Sequence, residues 1–513
     1  MNRFIRLFFL PVLLQLTASC DKMLSPDPVG LQTVDATFDN FSGTVSAVNG
    51  MYNLLSGGDL YRGSLNLLSI DYASDDVMSS SKSTAASYNT LDYFELLADN
   101  TVTLGLWNDF YRIIYRANVV INRVPALTFP TAQSRNPSGG LYTDQFVGEA
   151  KFLRAFAYFN LIRLFGDTPL RIREIKSLSE VNIARSPATQ VYAQIIEDLK
   201  DATRKLPPVY AGSGSGNEKG RPTRWAAMTM LADVYLTQKN FAEAKALAAE
   251  VITQSGLSLN AKYADNFAAK GGAKNGLESI FEIQFSNGGS TTGTSMFSNN
   301  YGFIMGAVTE TSGGVISLAA YRPTDNEDIM NEPGFQGGLI QEYEIGDLRR
   351  DVNFVLGRNG MGLQNWLTSK HHVPGTGFAG QANFPVYRLA EVLLIYAEAT
   401  NESGKLDVQG LEYINQLRRR AFGLPLSTPS NTHDLASGHT QGQYRDLIRS
   451  ERRKELALEN HRWFDLLRYG YDYAYTVLKI NQKREAFTRD KLLFPIAKIE
   501  LMNNPLLTQN PGY

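Results

Sequence analysis

Cysteine is nearly absent from this chain of 513 residues, in which Cys20 is the only one. A single cysteine cannot close an internal disulfide, and it cannot supply a C-x-x-C pair for a metal or redox site. Histidine is scarce as well, since all five histidines lie between residues 371 and 461 and none belongs to an H-E-x-x-H motif. These absences argue against the common zinc sites, and we expect the protein to need no cofactor.

An excess of charge of one sign is also lacking. The 50 lysines and arginines and the 51 aspartates and glutamates give a formal net charge of −1, and no long basic run occurs. A protein that binds a phosphate backbone needs an excess of basic surface. We therefore expect no nucleic-acid partner.

Motifs for phosphate binding and hydrolysis are missing too. The glycine-rich segment GSGSGNEKG (212–220) lacks the G-K-[ST] of a phosphate loop and the central serine of a G-x-S-x-G elbow, which favours a flexible connector. Calcium could bind at Asp325, Glu327 and Asp328, and paired carboxylates could support glycoside hydrolysis. Both sites would need a spacing in three dimensions that no sequence motif here specifies.

The first twenty residues, MNRFIRLFFLPVLLQLTASC, have the layout of a secretion signal. Two arginines precede a short apolar stretch, Leu7 to Leu16, which is too short to span about 30 Å of hydrocarbon. The segment resembles a bacterial lipoprotein signal, which implies cleavage before Cys20 and attachment of lipids to that cysteine. We expect residues 1–19 to be the signal peptide and residues 20–37 to be a tether above the membrane.

Helical periodicity dominates the rest of the chain. The segment LWNDFYRIIYRANVVINRV (106–124) repeats apolar residues at spacings of three and four. The segment FVGEAKFLRAFAYFNLIRLFG (146–166) is apolar around most of its circumference, so we expect it to be buried. Gly166 is placed to end that helix.

A repeat signal occurs in residues 221–252. Its leucine, small, tyrosine and alanine positions, from Leu231 to Ala244, match those of a tetratricopeptide helix–turn–helix. A weaker match lies in residues 387–423. Two such helical hairpins in one mostly helical chain favour a repeat scaffold.

Two segments rich in glycine, serine, asparagine and threonine interrupt the helices, at residues 74–90 and from 256 to about 385. Within the second segment, ESIFEIQFS (278–286) alternates like a strand. Irregular segments of this length in a compact protein are usually functional.

The stretch RRKELALENHRWFDLLRYG (452–470) gathers acids, bases, a histidine and a tryptophan, as an active site would. On a helix, however, its acids lie within reach of arginines, and such pairs form along helix surfaces. We therefore interpret the stretch as scaffold. Three pairs are spaced three residues apart: Arg452 with Glu455, Glu459 with Arg462, and Asp465 with Arg468.

The same stretch closely resembles the signature helix of the SusD/RagB family of surface nutrient-binding lipoproteins. The final residues, FPIAKIELMNNPLLTQNPGY (494–513), resemble the closing motif of that family, with Ala497 in place of a usual proline. The segment GRPTRWAAMTMLADVYL (220–236) and the two earlier helical segments also resemble the family's helices, in the same order along the chain.

This resemblance implies a mainly α-helical fold, in which tetratricopeptide-like repeats support a loop-rich ligand-binding face with few short strands. It implies an N-terminal helical part at 38–285 and a C-terminal part at 286–513, with a loop-rich insert at 286–385. The protein would lie on the outer face of a Gram-negative outer membrane, held there by its lipid. It would bind an oligosaccharide without catalysis and deliver it to a SusC-like TonB-dependent transporter.

Proteins hold sugars with aromatic rings and with polar side chains, and such groups should lie on loops. Trp107, Trp225 and Trp463 lie in helical patterns and are assigned to packing. A receptor for peptides and a surface glycoside hydrolase are the alternative functions. The candidate ligand-binding residues are Asp75, Asp76 and Tyr88 in the first irregular segment, and Tyr301, Tyr321, Arg322, Trp366 and His371 in the second.

Overall fold

The computed structural model describes residues 33–56, 60–61, 67–79, 86–210, 220–286, 321–323, 338–358, 364–371 and 381–513. Cys20 and the predicted signal peptide lie outside these ranges, and the predicted domain boundaries stay predictions. By its contacts the chain divides into two units, residues 1–47 and residues 48–513. Within the described ranges, no helix combines the length and the apolar character needed to cross a membrane.

In the residues that the structure describes, the secondary structure is mainly helical, as predicted, with six short strands. In the first unit, the Thr33 hydroxyl accepts a hydrogen bond from the backbone N–H of Ala36 and so caps the first helix. The α-helices are α1 (Val34–Thr37), α2 (Phe41–Ser56), α3 (Ala86–Asp92), α4 (Thr101–Arg123), α5 (Thr131–Ser134), α6 (Tyr142–Phe165), α7 (Ala188–Lys205), α8 (Arg224–Thr237), α9 (Phe241–Gln254), α10 (Leu348–Asn353), α11 (Leu389–Glu402), α12 (Val408–Ala421), α13 (Gln441–Glu455), α14 (Arg462–Tyr469), α15 (Tyr471–Tyr475) and α16 (Lys498–Asn503). The strands are β1 (Val77–Ser79), β2 (Ser279–Ile283), β3 (Tyr321–Pro323), β4 (Phe354–Arg358), β5 (Gln364–Thr368) and β6 (Phe384–Arg388).

Helix α6 is the buried helix that the sequence predicted. It packs against α4 on one side and against α7 on another, and its apolar residues are buried around most of its circumference. Gly166 follows α6 with a φ of +69°, a conformation that glycine adopts without a Cβ clash, and the helix ends there. Trp107, in α4, is buried in the same layer, which confirms its assignment to packing.

The two predicted repeat hairpins are present as pairs of packed helices. Helix α8 packs against α9, and α11 packs against α12. The alanines of the repeat pattern, Ala232 and Ala244, are fully buried. Their small side chains let the antiparallel helices approach closely, so the residues that signalled the repeat are those that form its helix–helix contact.

The described strands form three separate antiparallel pairs: β1 with β3, β2 with β6, and β4 with β5. The predicted strand in 278–286 is confirmed as β2. Its alternation did not predict its burial, however, because the residues from Ile280 to Ile283 are buried on both faces. Strand β6 pairs with β2 along one edge, and helix α8 packs against β2.

The stretch 452–470 is not one helix, and this part of the prediction is wrong. Helix α13 ends at Glu455, and α14 begins only at Arg462. The chain reverses between them, with Leu458 and Asn460 at φ values of +63° and +62°. Few non-glycine residues adopt this left-handed conformation. The spacing of residues along a helix therefore could not predict the chain reversal.

Candidate functional site

Three of the five predicted ligand-binding residues of the second irregular segment, Tyr321, Arg322 and Trp366, lie on neighbouring strands. In the β1–β3 pair, Ser79 lies opposite Tyr321 and Met78 opposite Arg322. Trp366 lies on β5, opposite Leu356 of β4. Strand β3 contacts β5, so the two strand pairs adjoin. We call β1, β3, β4 and β5 the strand platform.

The structure describes only the backbone at Tyr321, Arg322 and Trp366. The same is true of Tyr88, which lies in α3, a helix that contacts β1. Tyr301, like the possible calcium ligands at 325–328, lies outside the described residues. In the described part of the chain, no group of three or more histidine, cysteine, aspartate or glutamate residues is arranged to hold a metal ion.

Asp75 and Asp76, which directly precede β1, are buried rather than exposed on a loop. Arg462 donates to both oxygens of Asp75, with Nε–Oδ1 and Nη2–Oδ2 distances of 2.6 and 2.8 Å. Arg453 donates from Nε to Oδ1 of Asp76 at 2.7 Å. Since both carboxylates are about 1% exposed, their first role is to fix the start of β1.

The two neighbouring carboxyls respond differently to this environment. Burial favours the neutral form of both, but Arg453 and Arg462 outweigh it at Asp75 and lower the pKa of that carboxyl to about 2. At Asp76, burial prevails over the attraction of Arg453 and raises the pKa to about 6. Asp75 therefore remains ionised at neutral pH.

His371 is also buried, at 3% exposure, and not part of an open loop. Its Nε2 lies 3.0 Å from the carbonyl oxygen of Leu458, in the turn between α13 and α14. Burial lowers the pKa of the His371 imidazole to about 3, so the ring is neutral at physiological pH. A neutral Nε2–H can donate to that carbonyl, and His371 thereby anchors the end of β5 to the turn.

Near the start of β4 and the end of β5 lies a set of buried ionic side chains that we call the charge cluster: Glu278, Arg349, Lys370, Arg388, Arg420, Glu451, Glu455 and Glu459. Glu455, which the sequence paired with Arg452, instead contacts Arg349, Arg388 and Arg420. Its neighbour Glu459 accepts hydrogen bonds from Lys370 and Arg388. Of the three pairs that the sequence predicted, Asp465 with Arg468 is confirmed, with a distance of 2.9 Å between Oδ1 and Nε.

The charge cluster holds the ends of the strands. Arg349 lies in α10, which runs directly into β4, and Lys370 follows β5 by two residues. Arg388 is the last residue of β6 and donates hydrogen bonds to Glu278, Glu455 and Glu459. Because all of these ions except Lys370 have two or more ionic partners, the cluster can fix the strands in one arrangement.

A polar cleft of about 280 Å³ opens at the buried ion pairs that precede β1, and its lining includes Asp75, Arg453 and Arg462. The sequence reasoning missed two further lining residues, Arg449 and Tyr473. The Arg449 guanidinium lies 4.0 Å from the ring centroid of Tyr469 and 4.7 Å from that of Tyr473. The tyrosine-rich run YGYDYAY (469–475) was the signal that could have indicated them.

The wall of the cleft continues into a π-helical turn, Thr476–Asn481, which contributes Val477 and Asn481. Such turns are uncommon and recur at functional sites. The cleft offers guanidinium, amide, carboxylate and phenol groups around a small volume. This chemistry suits hydrogen bonding to a polar ligand.

A helical-repeat scaffold that carries short strands and a polar cleft on buried ion pairs has the features of a binding protein. Two family profiles match the chain: one for the SusD family over residues 357–513, and one described as "Starch-binding associating with outer membrane" over residues 34–236. The chain belongs to the SusD/RagB family.

Similar proteins span nearly the whole chain. A SusD-like protein of Formosa agariphila is 27% identical, over 96% of this chain and 97% of its own length. A solved structure of a laminarin-binding SusD-like protein has a TM-score of 0.72 and 25% identity, and covers 92% of this chain and 100% of its own. A surface glycan-binding protein A from Bacteroides fluxus has a TM-score of 0.70 and 24% identity, with coverage of 92% and 99%.

Proposed function

We propose that this protein captures extracellular oligosaccharides at the cell surface and delivers them to a SusC-like TonB-dependent transporter in the outer membrane. It acts by binding and not by catalysis. Family membership supports the class of function, and a laminarin-binding and a glycan-binding protein among the similar structures support the ligand class.

The observation that carries the proposal is the convergence of the strand platform. Trp366 lies more than forty positions after the adjacent residues Tyr321 and Arg322 in the sequence, yet the two strands that carry them are in contact. An aromatic ring and a cation on adjoining strands can share one ligand, the ring against a sugar face and the cation against its hydroxyls. The charge cluster holds the start of β4 and the end of β5, and Arg453 and Arg462 hold the start of β1, so little order has to be gained when the ligand binds.

The predicted lipid on Cys20 would keep this site at the membrane. Several acyl chains anchor a protein stably without a spanning helix. Held in this way, the protein would present its ligand repeatedly to a transporter in the same membrane at a high effective concentration. A Cys20→Ala variant should appear in the soluble fraction of cells and no longer co-purify with a TonB-dependent transporter.

The direct test is a binding measurement on the purified full-length chain. Calorimetric titration with a panel of neutral and charged oligosaccharides should give saturable heat for at least one glycan, and chromatography of the same mixtures should show the glycan unchanged. Trp366→Ala should weaken that binding.

The alternatives give different results in the same assay. New reducing ends that increase with time would replace the proposal with a surface glycoside hydrolase. Saturable binding to peptides and to no glycan would replace it with a peptide receptor.

A further inference from the structure

A second cavity, of about 330 Å³, lies between α4, the segment at 169–182 and the C-terminal residues from α16 to Leu507. It shares no lining residue with the polar cleft beside the strand platform. We call it the tyrosine cavity, after Tyr111 and Tyr115. Its volume is at the small end of the range for ligand pockets.

Hydrogen bonds from α4 hold one wall of this cavity. The Tyr111 hydroxyl donates to the carbonyl oxygen of Pro169 at 2.9 Å. One turn beyond Tyr115, the Asn118 amide donates to the carbonyl oxygens of Arg171 and Arg173 at 3.0 and 3.2 Å. These bonds fix an irregular segment that has no ladder of its own.

Buried charge supports the same segment from behind. Arg154, in α6, donates to both oxygens of Asp198 at 2.8 and 2.7 Å, and both residues are buried. It also donates to the carbonyl oxygen of Ile172 at 3.1 Å. On the opposite side, Asn504 donates to the carbonyl oxygen of Ile183 at 2.9 Å and links the C-terminal wall to the segment. The cavity is therefore preformed.

Two tyrosine rings provide its aromatic surface. Tyr111 and Tyr115 are one helical turn apart, about 6 Å along the axis of α4, and so lie on the same face. The Tyr111 hydroxyl is fixed by its hydrogen bond, and the centroid of the Tyr111 ring lies 5.0 Å from that of Trp107. The Tyr111 ring is therefore half-buried and held in place. Tyr115 is 43% exposed.

Polar groups surround these rings, and several of them are neutral amides. In the part of the chain that the structure describes, no hydrogen bond engages the side-chain amides of Asn108, Asn182 and Asn503, which all line the cavity. An amide both donates and accepts, as does a hydroxyl group. The Glu500 carboxyl also lines the cavity; burial raises its pKa, and a hydrogen bond with Trp107 opposes that rise.

We propose that the tyrosine cavity is a second saccharide site, which binds a neutral sugar of one or two rings. The aromatic faces would stack on the apolar face of the sugar, and the amides and Glu500 would bond to its hydroxyls. Arg171 and Arg173 also line the cavity, together with the carboxyl of Glu500, and Arg171 is engaged with the carbonyl of Glu180 at 2.9 Å. The choice of ligand class rests on the proposed function, whereas the site does not depend on the strand platform.

The four tryptophans of the chain allow both sites to be observed in one experiment. Trp107 lines the tyrosine cavity, Trp366 lies on the strand platform, and Trp225 and Trp463 are buried elsewhere. In the full-length chain labelled with 5-fluorotryptophan, each fluorine signal can be assigned by a tryptophan-to-phenylalanine variant. Glucose, galactose, mannose, xylose and their disaccharides are then titrated into the sample.

We expect the Trp107 signal to shift saturably with at least one of these sugars while Trp225 and Trp463 stay still. Tyr115→Ala should weaken this response by about tenfold or more without lowering the melting temperature. Tyr93→Ala is a matched control, since Tyr93 is similarly exposed at 45% and lies outside the cavity.

The inference is overturned if the Trp107 signal does not move with any of the sugars, whatever Trp366 does. It is also overturned if Tyr115→Ala leaves the response unchanged. Movement of Trp107 without movement of Trp366 would support the tyrosine cavity and count against the proposed site on the strand platform.

Discussion

The charge cluster and the tyrosine cavity are both rich in polar side chains, but these side chains are bonded to one another in the cluster and face an open volume in the cavity. In the cluster, Glu455 and Glu459 are each bonded to two or more cations, and almost no surface remains for a ligand. In the cavity, Asn108, Asn503 and the exposed ring of Tyr115 face an open volume. A residue type that suits catalysis or binding thus says little until its exposure and its partners are known.

The difference has an energetic basis. A buried ion must be matched by its neighbours, because the loss of hydration is otherwise uncompensated, so a dense cluster of ions is compatible with folding only when it is satisfied internally. A neutral amide at a surface is solvated by water and can exchange that water for a ligand. We therefore expect substitutions in the two regions to separate stability from binding.

The largest effect is expected from Arg388→Ala. Arg388 is 2% exposed and bonds to three carboxylates, so its loss should cost roughly 3–5 kcal/mol of the free energy of unfolding, measured in urea. Arg350→Ala is the control, because Arg350 pairs with Asp351 on the surface and should contribute less than about 1 kcal/mol. Equal effects of the two variants would contradict the structural role of the cluster.

A smaller, pH-dependent effect is expected from Asp465→Asn. Burial opposes ionisation of Asp465, but Arg452 and Arg468 prevail and lower its pKa to about 2, from an ordinary value of 3.8. The stabilisation by the carboxylate is thus fully present above the ordinary pKa and is lost as the pH falls from about 4 towards 2. The variant should be about 2–3 kcal/mol less stable at pH 6, and this gap should narrow at pH 3. If the difference in stability were the same at pH 6 and pH 3, the ionised Asp465 carboxylate would not be the source of the stabilisation.

Trp366→Ala tests whether a glycan binds at the strand platform. The loss of an aromatic contact should weaken glycan affinity by about tenfold in calorimetric titration, which corresponds to about 1.4 kcal/mol. Tyr93→Ala should leave the affinity unchanged. If Trp366→Ala binds as tightly as the parent chain, the ligand does not contact the strand platform at that residue.

The smallest effect on stability is expected from Tyr115→Ala. Its ring is largely exposed, so the free energy of unfolding should change by no more than about 0.5 kcal/mol in urea, in contrast to Arg388→Ala. A loss of 2 kcal/mol or more would show that Tyr115 supports the fold rather than a ligand, and would weaken the distinction between the two regions.

Local features of the fold could be predicted well from the sequence. Burial of α6, its end at Gly166, the alanine contacts of the repeat hairpins and the strand β2 all follow from spacing along one segment. The environment of the candidate site residues was harder to predict. Nothing in the segment at 74–90 indicates that Arg453 lies against Asp76, 377 positions away. The composition of a loop predicted exposure for Asp75, Asp76 and His371, whereas distant partners bury them.

The sequence by itself determined that this is a mainly helical chain of the SusD/RagB family, because helical periodicity and the motifs in 452–470 and 494–513 are short-range patterns. Only the tertiary structure decided which of its chemical groups remain accessible. Whether a charged side chain in 452–470 is bound in an ion pair or accessible to a ligand depends on the residues of opposite charge that pack against it. These partners, such as Asp75, Arg349 and Arg388, come from distant parts of the sequence that no local pattern connects.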